Sequence, residues 1–77
     1  MNQKLLIILT TEIIAMMRVR GYMTPLEIQS ELSVELAECT LKKFLDSMCE
    51  SGVIHAKKSS LLHEYGFTAF GKQCYIN

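Results

Sequence analysis

Apolar side chains dominate the first twenty residues of the chain. Most residues here are good helix formers, and Gly21 can supply a left-handed cap, so we predict a helix from about Gln3 to Arg20. A surface helix needs only one apolar stripe, whereas these apolar residues cover nearly the whole circumference. We therefore expect the helix to bury two faces. The apolar positions are Leu5, Leu6, Ile7, Ile8, Leu9, Ile13, Ile14, Met16 and Met17.

The strongest local start signal is the tetrapeptide that begins at Thr24. The Thr24 hydroxyl can accept a hydrogen bond from the amide of Glu27, and the Glu27 carboxylate can reach back, which forms a capping box. Pro25 occupies the first helical position, where proline is favoured. We predict a short second helix that ends near Leu32, followed by a turn over residues 33–36.

A third helix is predicted over residues 37–51, and Gly52 ends it. On a helical wheel the apolar and polar residues separate onto two sides. We expect Leu41, Phe44, Leu45 and Met48 to form the core together with Ile13, Ile28 and Phe67. The apolar side holds Ala37, Leu41, Phe44, Leu45 and Met48, and the polar side holds Cys39, Lys42, Lys43, Asp46 and Glu50.

After Gly52 the period of the pattern changes from 3.6 to 2 residues. Residues 53–57 and 63–67 are predicted to form two strands, with a polar turn or loop tip over residues 58–60. The aromatic residues Tyr65 and Phe67 then share one face of the second strand.

Thr68 follows the second strand and can cap a short helical turn that begins at Ala69. The order of elements predicts an α+β fold in a single domain over residues 1–77. We expect a three-helix core, a two-stranded β-hairpin and a short C-terminal helical turn.

Composition and charge narrow the class of protein. Hydrophobic residues make up 49% of the 77, and charged residues make up 21%, which excludes disorder. The 8 basic and 8 acidic residues give a net charge of zero, which excludes coating of nucleic acid by bulk charge. The apolar segment over residues 5–17 is shorter than the roughly twenty residues needed to span a bilayer. We expect a soluble protein of the cytoplasm that does not associate with membranes.

Helix, helix, helix and hairpin is also the order of elements in winged helix-turn-helix domains. The Thr24 cap and the glycine with two aliphatic residues at the end of the third helix are common in small bacterial winged-helix transcriptional regulators. Residues 65–71, Tyr-Gly-Phe-Thr-Ala-Phe-Gly, resemble the wing exit of the MarR and PadR types. In length the chain is similar to regulators of fimbrial phase variation.

This resemblance implies a sequence-specific regulator that binds double-stranded DNA. The third helix would enter the major groove, and the hairpin, or wing, would lie along the backbone. Lysine side chains can contact phosphates or guanine. The candidate DNA-binding residues are Glu38, Cys39, Thr40, Lys42 and Lys43 in the third helix and Lys57, Lys58, Ser59 and Ser60 in the wing.

Each of these features also has an interpretation without DNA. The third-helix residues can be a solvated face with charges at i, i+4 spacing, and the lysine pair at 57–58 can protect an exposed strand edge. The zero net charge favours a second hypothesis, a winged-helix module that binds another protein as an adaptor or assembly factor. A further regulatory protein is a possible partner under either hypothesis.

Catalytic and metal-binding motifs are absent from the sequence. It has no glycine-rich phosphate loop and no Gly-x-Ser-x-Gly, so we expect neither enzymatic activity nor a cofactor. His55 and His63 are expected in the two strands, where they could face each other, but a metal site needs three or four ligands. We expect no metal.

The three cysteines do not form a Cys-x-x-Cys pair. We expect Cys49 to be a small core residue and Cys39 to be exposed, which makes Cys39 the one candidate for a redox-responsive thiol. Reduced thiols are the main expectation, and a single intermolecular disulfide is the alternative.

The apolar circumference of the first helix also suggests a partner. One side must cover the other helices, and the other side would remain in water unless a second copy covers it. We therefore predict a homodimer whose interface includes Leu5, Leu9 and Met16.

Overall fold

The computed structural model describes residues 2–59 and 62–75. The elements follow one another in the order α1 (Gln3–Arg20), α2 (Pro25–Glu31), α3 (Glu38–Glu50), β1 (Ile54–Ser59), β2 (Leu62–Phe67) and α4 (Ala69–Tyr75). The fold is α+β, with an antiparallel hairpin between the third and fourth helices, and this layout is compatible with a winged helix. The strand β1 continues through two of the positions predicted as a turn. Ser60, predicted as a wing contact, lies outside the described residues.

Both ends of α1 are closed by local hydrogen bonds. The Asn2 side chain accepts from the backbone N–H of Leu5 at 2.8 Å, and the N–H of Gly21 donates to the carbonyl of Met17 at 2.9 Å. Gly21 has a φ of 78° and a ψ of −122°. The positive φ agrees with the predicted glycine cap, but this ψ lies outside the left-handed helical region. Glycine adopts this backbone conformation at low cost because it has no Cβ.

Met23, in the segment between α1 and α2, forms an isolated β-bridge with the hairpin. Within the hairpin Ile54 lies opposite Phe67 and His55 lies opposite Gly66. On the other side of β2, Met23 and Tyr65 exchange two backbone hydrogen bonds of 3.0 and 2.8 Å. The strand β2 therefore lies between β1 and the chain that leads into α2.

One cluster of apolar side chains forms the core. All seven residues predicted for the core are buried, so that prediction is confirmed. Ala37 is exposed, contrary to the prediction from the wheel, because it is the N-cap and precedes the first turn of α3. The buried residues are Leu9, Ile13, Met17, Met23, Ile28, Leu41, Phe44, Leu45, Met48, Ile54, Tyr65 and Phe67.

The helix α1 buries one stripe and not the two faces that were predicted. Its fully buried residues, Leu9, Ile13 and Met17, repeat every four positions. Ile7 and Val19 remain 62% and 86% exposed. A domain of this size has too few other side chains to surround an 18-residue helix. No helix in the described part of the chain has the length and apolar character needed to cross a membrane.

Thr68 links the end of the hairpin to its beginning. Its backbone N–H donates to the carbonyl of Val53 at 3.1 Å, and its hydroxyl donates to the carbonyl of Gly52 at 2.5 Å. The same hydroxyl accepts from the N–H of Gly71 at 2.9 Å, which confirms the predicted cap. A Cβ at Gly71 would lie 2.0 Å from the Val53 carbonyl oxygen, so α4 packs where only glycine fits. The helix runs from Ala69 to Tyr75, where the predicted helical turn ends.

Candidate nucleic-acid interface

The start of α2, the start of α3 and the start of β2 border one cleft. Its volume is about 530 Å³. Of the predicted DNA-binding residues, Glu38 lines this cleft. Among the described residues, its lining consists of Thr24, Pro25, Leu26, Glu38, Leu62 and His63.

The capping box fixes the start of α2 at this cleft. The Thr24 hydroxyl oxygen accepts from the N–H of Glu27 at 3.2 Å, and the Glu27 carboxylate accepts from the N–H of Thr24 at 2.9 Å. The backbone and side-chain hydrogen bonds from Thr24, followed by the charge of Arg20, lower the pKa of Glu27 below its ordinary value of 4.5. The Arg20 guanidinium also pairs with Glu31. The acidic side chains of α2 are therefore engaged by groups of the chain itself.

The turn between α2 and α3 is held by two side chains. The Glu12 carboxylate of α1 accepts from the N–H of Ser33 at 2.9 Å and also from its hydroxyl. These bonds, first the hydroxyl and then the backbone N–H, lower the pKa of Glu12. The Gln29 amide donates to the carbonyl of Leu36 at 2.8 Å. The direction in which α3 leaves the turn is thus tied to both preceding helices.

The predicted contact residues of α3 lie on more than one side of the helix. Cys39, Lys42 and Lys43 are exposed, and Thr40 is half-buried. Lys43 and Thr40 border a second cleft of about 370 Å³ on the side of α1, whereas Glu38 borders the cleft with the hairpin. Along the helix, Lys42 and Lys43 lie between Glu38 at its start and the acidic residues Asp46 and Glu50 toward its end.

The two wing lysines point to opposite faces of the hairpin. Successive side chains of a strand alternate, and Lys58 lies opposite His63 while Lys57 lies opposite Glu64. The Lys57 ammonium lies 5.3 Å from the centre of the Tyr22 ring. The contact of Lys57 and Lys58 with a DNA backbone stays a prediction. Ser59 is the last residue of β1.

A contact between Tyr22 and His55 was missing from the sequence-based predictions. The Tyr22 hydroxyl and His55 Nε2 lie 2.5 Å apart, and the two rings meet edge to face at 85°. The prediction that His55 and His63 could face each other is wrong, because their cross-strand partners are Gly66 and Lys58. The only sequence signal for the contact is the alternation of β1, which places His55 on the face opposite to Ile54.

The described residues contain no cluster of three histidine, cysteine, aspartate or glutamate side chains suited to a metal ion. Cys39 and Cys74 are exposed free thiols, and Cys49 is partly buried against the core. Burial, followed by the charge of Asp46, raises the pKa of Cys49 and disfavours its reactive thiolate.

The predicted dimer residues of α1 are not a free surface. Leu9 is fully buried, so the prediction that it would remain in water without a partner is wrong. Leu5 and Met16 are partly buried and pack against the core. The reason is that Leu9 belongs to the buried stripe of α1, and Leu5 and Met16 lie next to that stripe. The large apolar residues of α1 that are exposed are instead Leu6, Ile7 and Val19.

Comparison with known proteins gives no relative. No family model, no curated protein and no solved structure matches the chain.

Proposed function

We propose that the protein is a winged helix-turn-helix regulator that binds double-stranded DNA in the cytoplasm. The observation that carries the proposal is the cleft at which the starts of α2, α3 and β2 meet. A DNA duplex lying across this cleft would contact α3 near its N-terminal end. In helix-turn-helix proteins the recognition helix contacts base edges with its N-terminal residues. The hairpin would reach the adjacent backbone.

The beginning of α3 supports this orientation. Its N-cap, Ala37, provides no side-chain hydrogen bond, so the first amides of the helix have no side-chain cap and can donate to an anion. Lys42 and Lys43 lie one turn further along and are exposed. Positive charge at this distance from a helix start is suited to phosphate contacts.

A protein-binding module is the second candidate function. Leu26 and Leu62 border the same cleft and are 72% and 61% exposed. Glu38 adds a negative charge to the cleft, and the whole chain has no net charge. Exposed apolar side chains are common where proteins bind one another, so these features favour an adaptor role.

A salt titration of binding to duplex DNA tests the proposal. A protein that binds through phosphates must lose affinity as salt rises. We expect Lys42→Ala combined with Lys43→Ala to weaken binding and to reduce the slope of log affinity against log salt by about one to two. Lys72→Ala, which removes an exposed lysine from α4, is the matched control and should leave the slope unchanged.

Two results would count against this function. If the double variant matches the unmodified protein in affinity and slope, α3 is not the reading helix. If the unmodified protein shows no salt-dependent binding to any duplex, including a random-sequence one, the DNA-binding proposal fails and the protein-binding module takes its place.

We also propose a homodimer through α1, with an interface that differs from the one predicted from the sequence. Ile7 and the exposed Ala15 lie on the side away from the buried stripe, and a symmetric pairing of two such helices would cover them. Sedimentation equilibrium decides this: a mass of one chain at all concentrations contradicts the dimer. Ile7→Glu should shift a dimer to monomer without unfolding it.

A further inference from the structure

We propose that Tyr22, His55 and Lys57, which we term the outer-face cluster, form a binding site for a phosphate group. The identification of that phosphate as one in a DNA backbone rests on the proposed function. The cluster lies on the face of the hairpin opposite to the buried residues Ile54 and Tyr65.

Tyr22 is held in place by the strand beneath it. A Cβ at Gly66 would lie 2.8 Å from Cδ2 of the Tyr22 ring, so the ring rests directly on the glycine backbone. The next residue, Met23, bridges to Tyr65 and fixes the main chain. Tyr22 nevertheless remains 38% exposed. The ring is therefore a fixed part of the hairpin surface that solvent and ligands can reach.

Tyr22 in turn orients His55. Its hydroxyl engages Nε2 at 2.5 Å, and Nδ1 has no hydrogen-bond partner in the described part of the chain. When the hydroxyl donates to Nε2, the neutral imidazole carries its proton on Nδ1, and the protonated ring carries one there as well. In both states Nδ1 presents an N–H donor to a bound anion.

Lys57 supplies a second donor on the same face. It lies two residues after His55 along β1, a distance of about 6.6 Å between the two backbone positions, and its ammonium is held over the Tyr22 ring. Glu64 lies opposite Lys57 and is half-buried. Within the described residues the ion pairs are those of Arg20, so Lys57 and Glu64 do not form an ion pair.

A phosphate group fits these donors better than a neutral ligand would. Charge-assisted hydrogen bonds from an ammonium and an imidazole N–H are among the stronger polar contacts, and a phosphate oxygen accepts both. A free phosphate and a phosphodiester share this chemistry. If the outer-face cluster had only a structural role, the contact of Tyr22 with Gly66 would be sufficient to hold the hairpin. In that case neither Lys57 nor the free nitrogen of His55 would respond to an added anion.

The first test uses inorganic phosphate as the probe. Nuclear magnetic resonance of the histidine ring protons should show His55 shifting in a saturable way as phosphate is added, at constant pH and with sodium chloride as the ionic-strength control. His63, on the opposite face, is the internal control and should move much less. Lys57→Ala should abolish the shift of His55, and Glu64→Gln should strengthen it. If His55 and His63 respond alike, or if Lys57→Ala has no effect, the site does not exist.

The second test identifies the source of the phosphate. With duplex DNA, Tyr22→Phe keeps the ring on Gly66 but removes the hydroxyl, and we expect about three- to tenfold weaker binding. His55→Gln, which removes the imidazole beside the Tyr22 hydroxyl, should weaken binding to a similar extent, whereas Lys72→Ala in α4 should leave the affinity unchanged.

The two tests separate the site from the function. Saturable phosphate binding without any binding to DNA would overturn the proposed function and would leave a site for free phosphate compounds. Binding to DNA with unchanged affinity in Tyr22→Phe and His55→Gln would overturn the outer-face cluster as a backbone contact and would leave the proposed function intact.

Discussion

The helices α1 and α3 carry their apolar residues in different ways. In α3 the apolar residues form one side, and the four buried ones, from Leu41 to Met48, are those that the wheel predicts. In α1 apolar residues lie on every side, and only Leu9, Ile13 and Met17 are fully buried. A helix with one apolar stripe specifies its own orientation, whereas a helix that is apolar all round leaves its orientation to its neighbours.

The difference separates two kinds of information in a sequence. The pattern of α3 predicts which residues are buried without knowledge of the rest of the fold. For α1 the buried side depends on where α2, α3 and the hairpin lie. Leu9 and Ile7 are similar side chains two positions apart, yet Leu9 is fully buried and Ile7 is 62% exposed.

The largest effect is expected at the amphipathic helix. Phe44 packs in the core and is 8% exposed, so Phe44→Ala should destabilise the fold by about 3 to 5 kcal/mol. Chemical denaturation followed by circular dichroism measures this change, and the loss can be sufficient to unfold a domain this small. An unchanged denaturation midpoint would show that α3 does not pack in this orientation.

The next largest expected effect on stability is the difference between a buried and an exposed position of α1. Leu9→Ala should cost about 2 to 5 kcal/mol because it leaves a cavity, whereas Ile7→Ala, measured at a concentration at which the protein is monomeric, should change stability by less than about 0.5 kcal/mol because Ile7 is exposed in the single chain. The same denaturation experiment compares the two variants. If Ile7→Ala proves as destabilising as Leu9→Ala at this concentration, Ile7 is not exposed in the single chain.

The smallest effect concerns the hydrogen bonds between Glu12 of α1 and Ser33 in the turn before α3. The Ser33 hydroxyl and N–H lower the pKa of Glu12 from its ordinary value of 4.5. A carboxyl with a lowered folded pKa contributes stability that is present above about pH 4.5 and is lost as the pH falls through the folded pKa.

The pH dependence of stability tests this link. Glu12→Gln should reduce the stability above about pH 4.5 and flatten its decline in acid. Glu50→Gln, which alters an exposed carboxyl at the end of α3, is the control. Identical acid profiles for Glu12→Gln and the unmodified protein would mean that the contact with Ser33 does not orient α3.

The sequence predicted features that depend on local spacing. The bounds of α1, the capping box at Thr24, the cap at Thr68 and the buried side of α3 all follow from residues within one or two turns of each other. These features are confirmed because short-range hydrogen bonds and helical periodicity determine them.

The features that the sequence did not predict depend on residues that are far apart along the chain. Tyr22 and His55 are 33 positions apart, and their contact requires both the hairpin register and the Met23 bridge. A shift of one residue in register exchanges the two faces of a strand, and β1 has too few apolar residues to fix its register from the pattern alone. The exact arrangement of the candidate interface therefore depends on the assembled fold.

The hydrogen bonds of Thr68 have a consequence for engineering. The backbone N–H of Thr68 donates to the carbonyl of Val53 and its hydroxyl donates to the carbonyl of Gly52, and these bonds close the hairpin at its base. Gly71 packs on the Val53 carbonyl. The strands beyond this closure can be lengthened without altering the helices. Two residues added to each strand would preserve the inward and outward faces, whereas one residue added to each would exchange them at the tip. The length of the hairpin can thus be changed while its attachment to the helices stays the same.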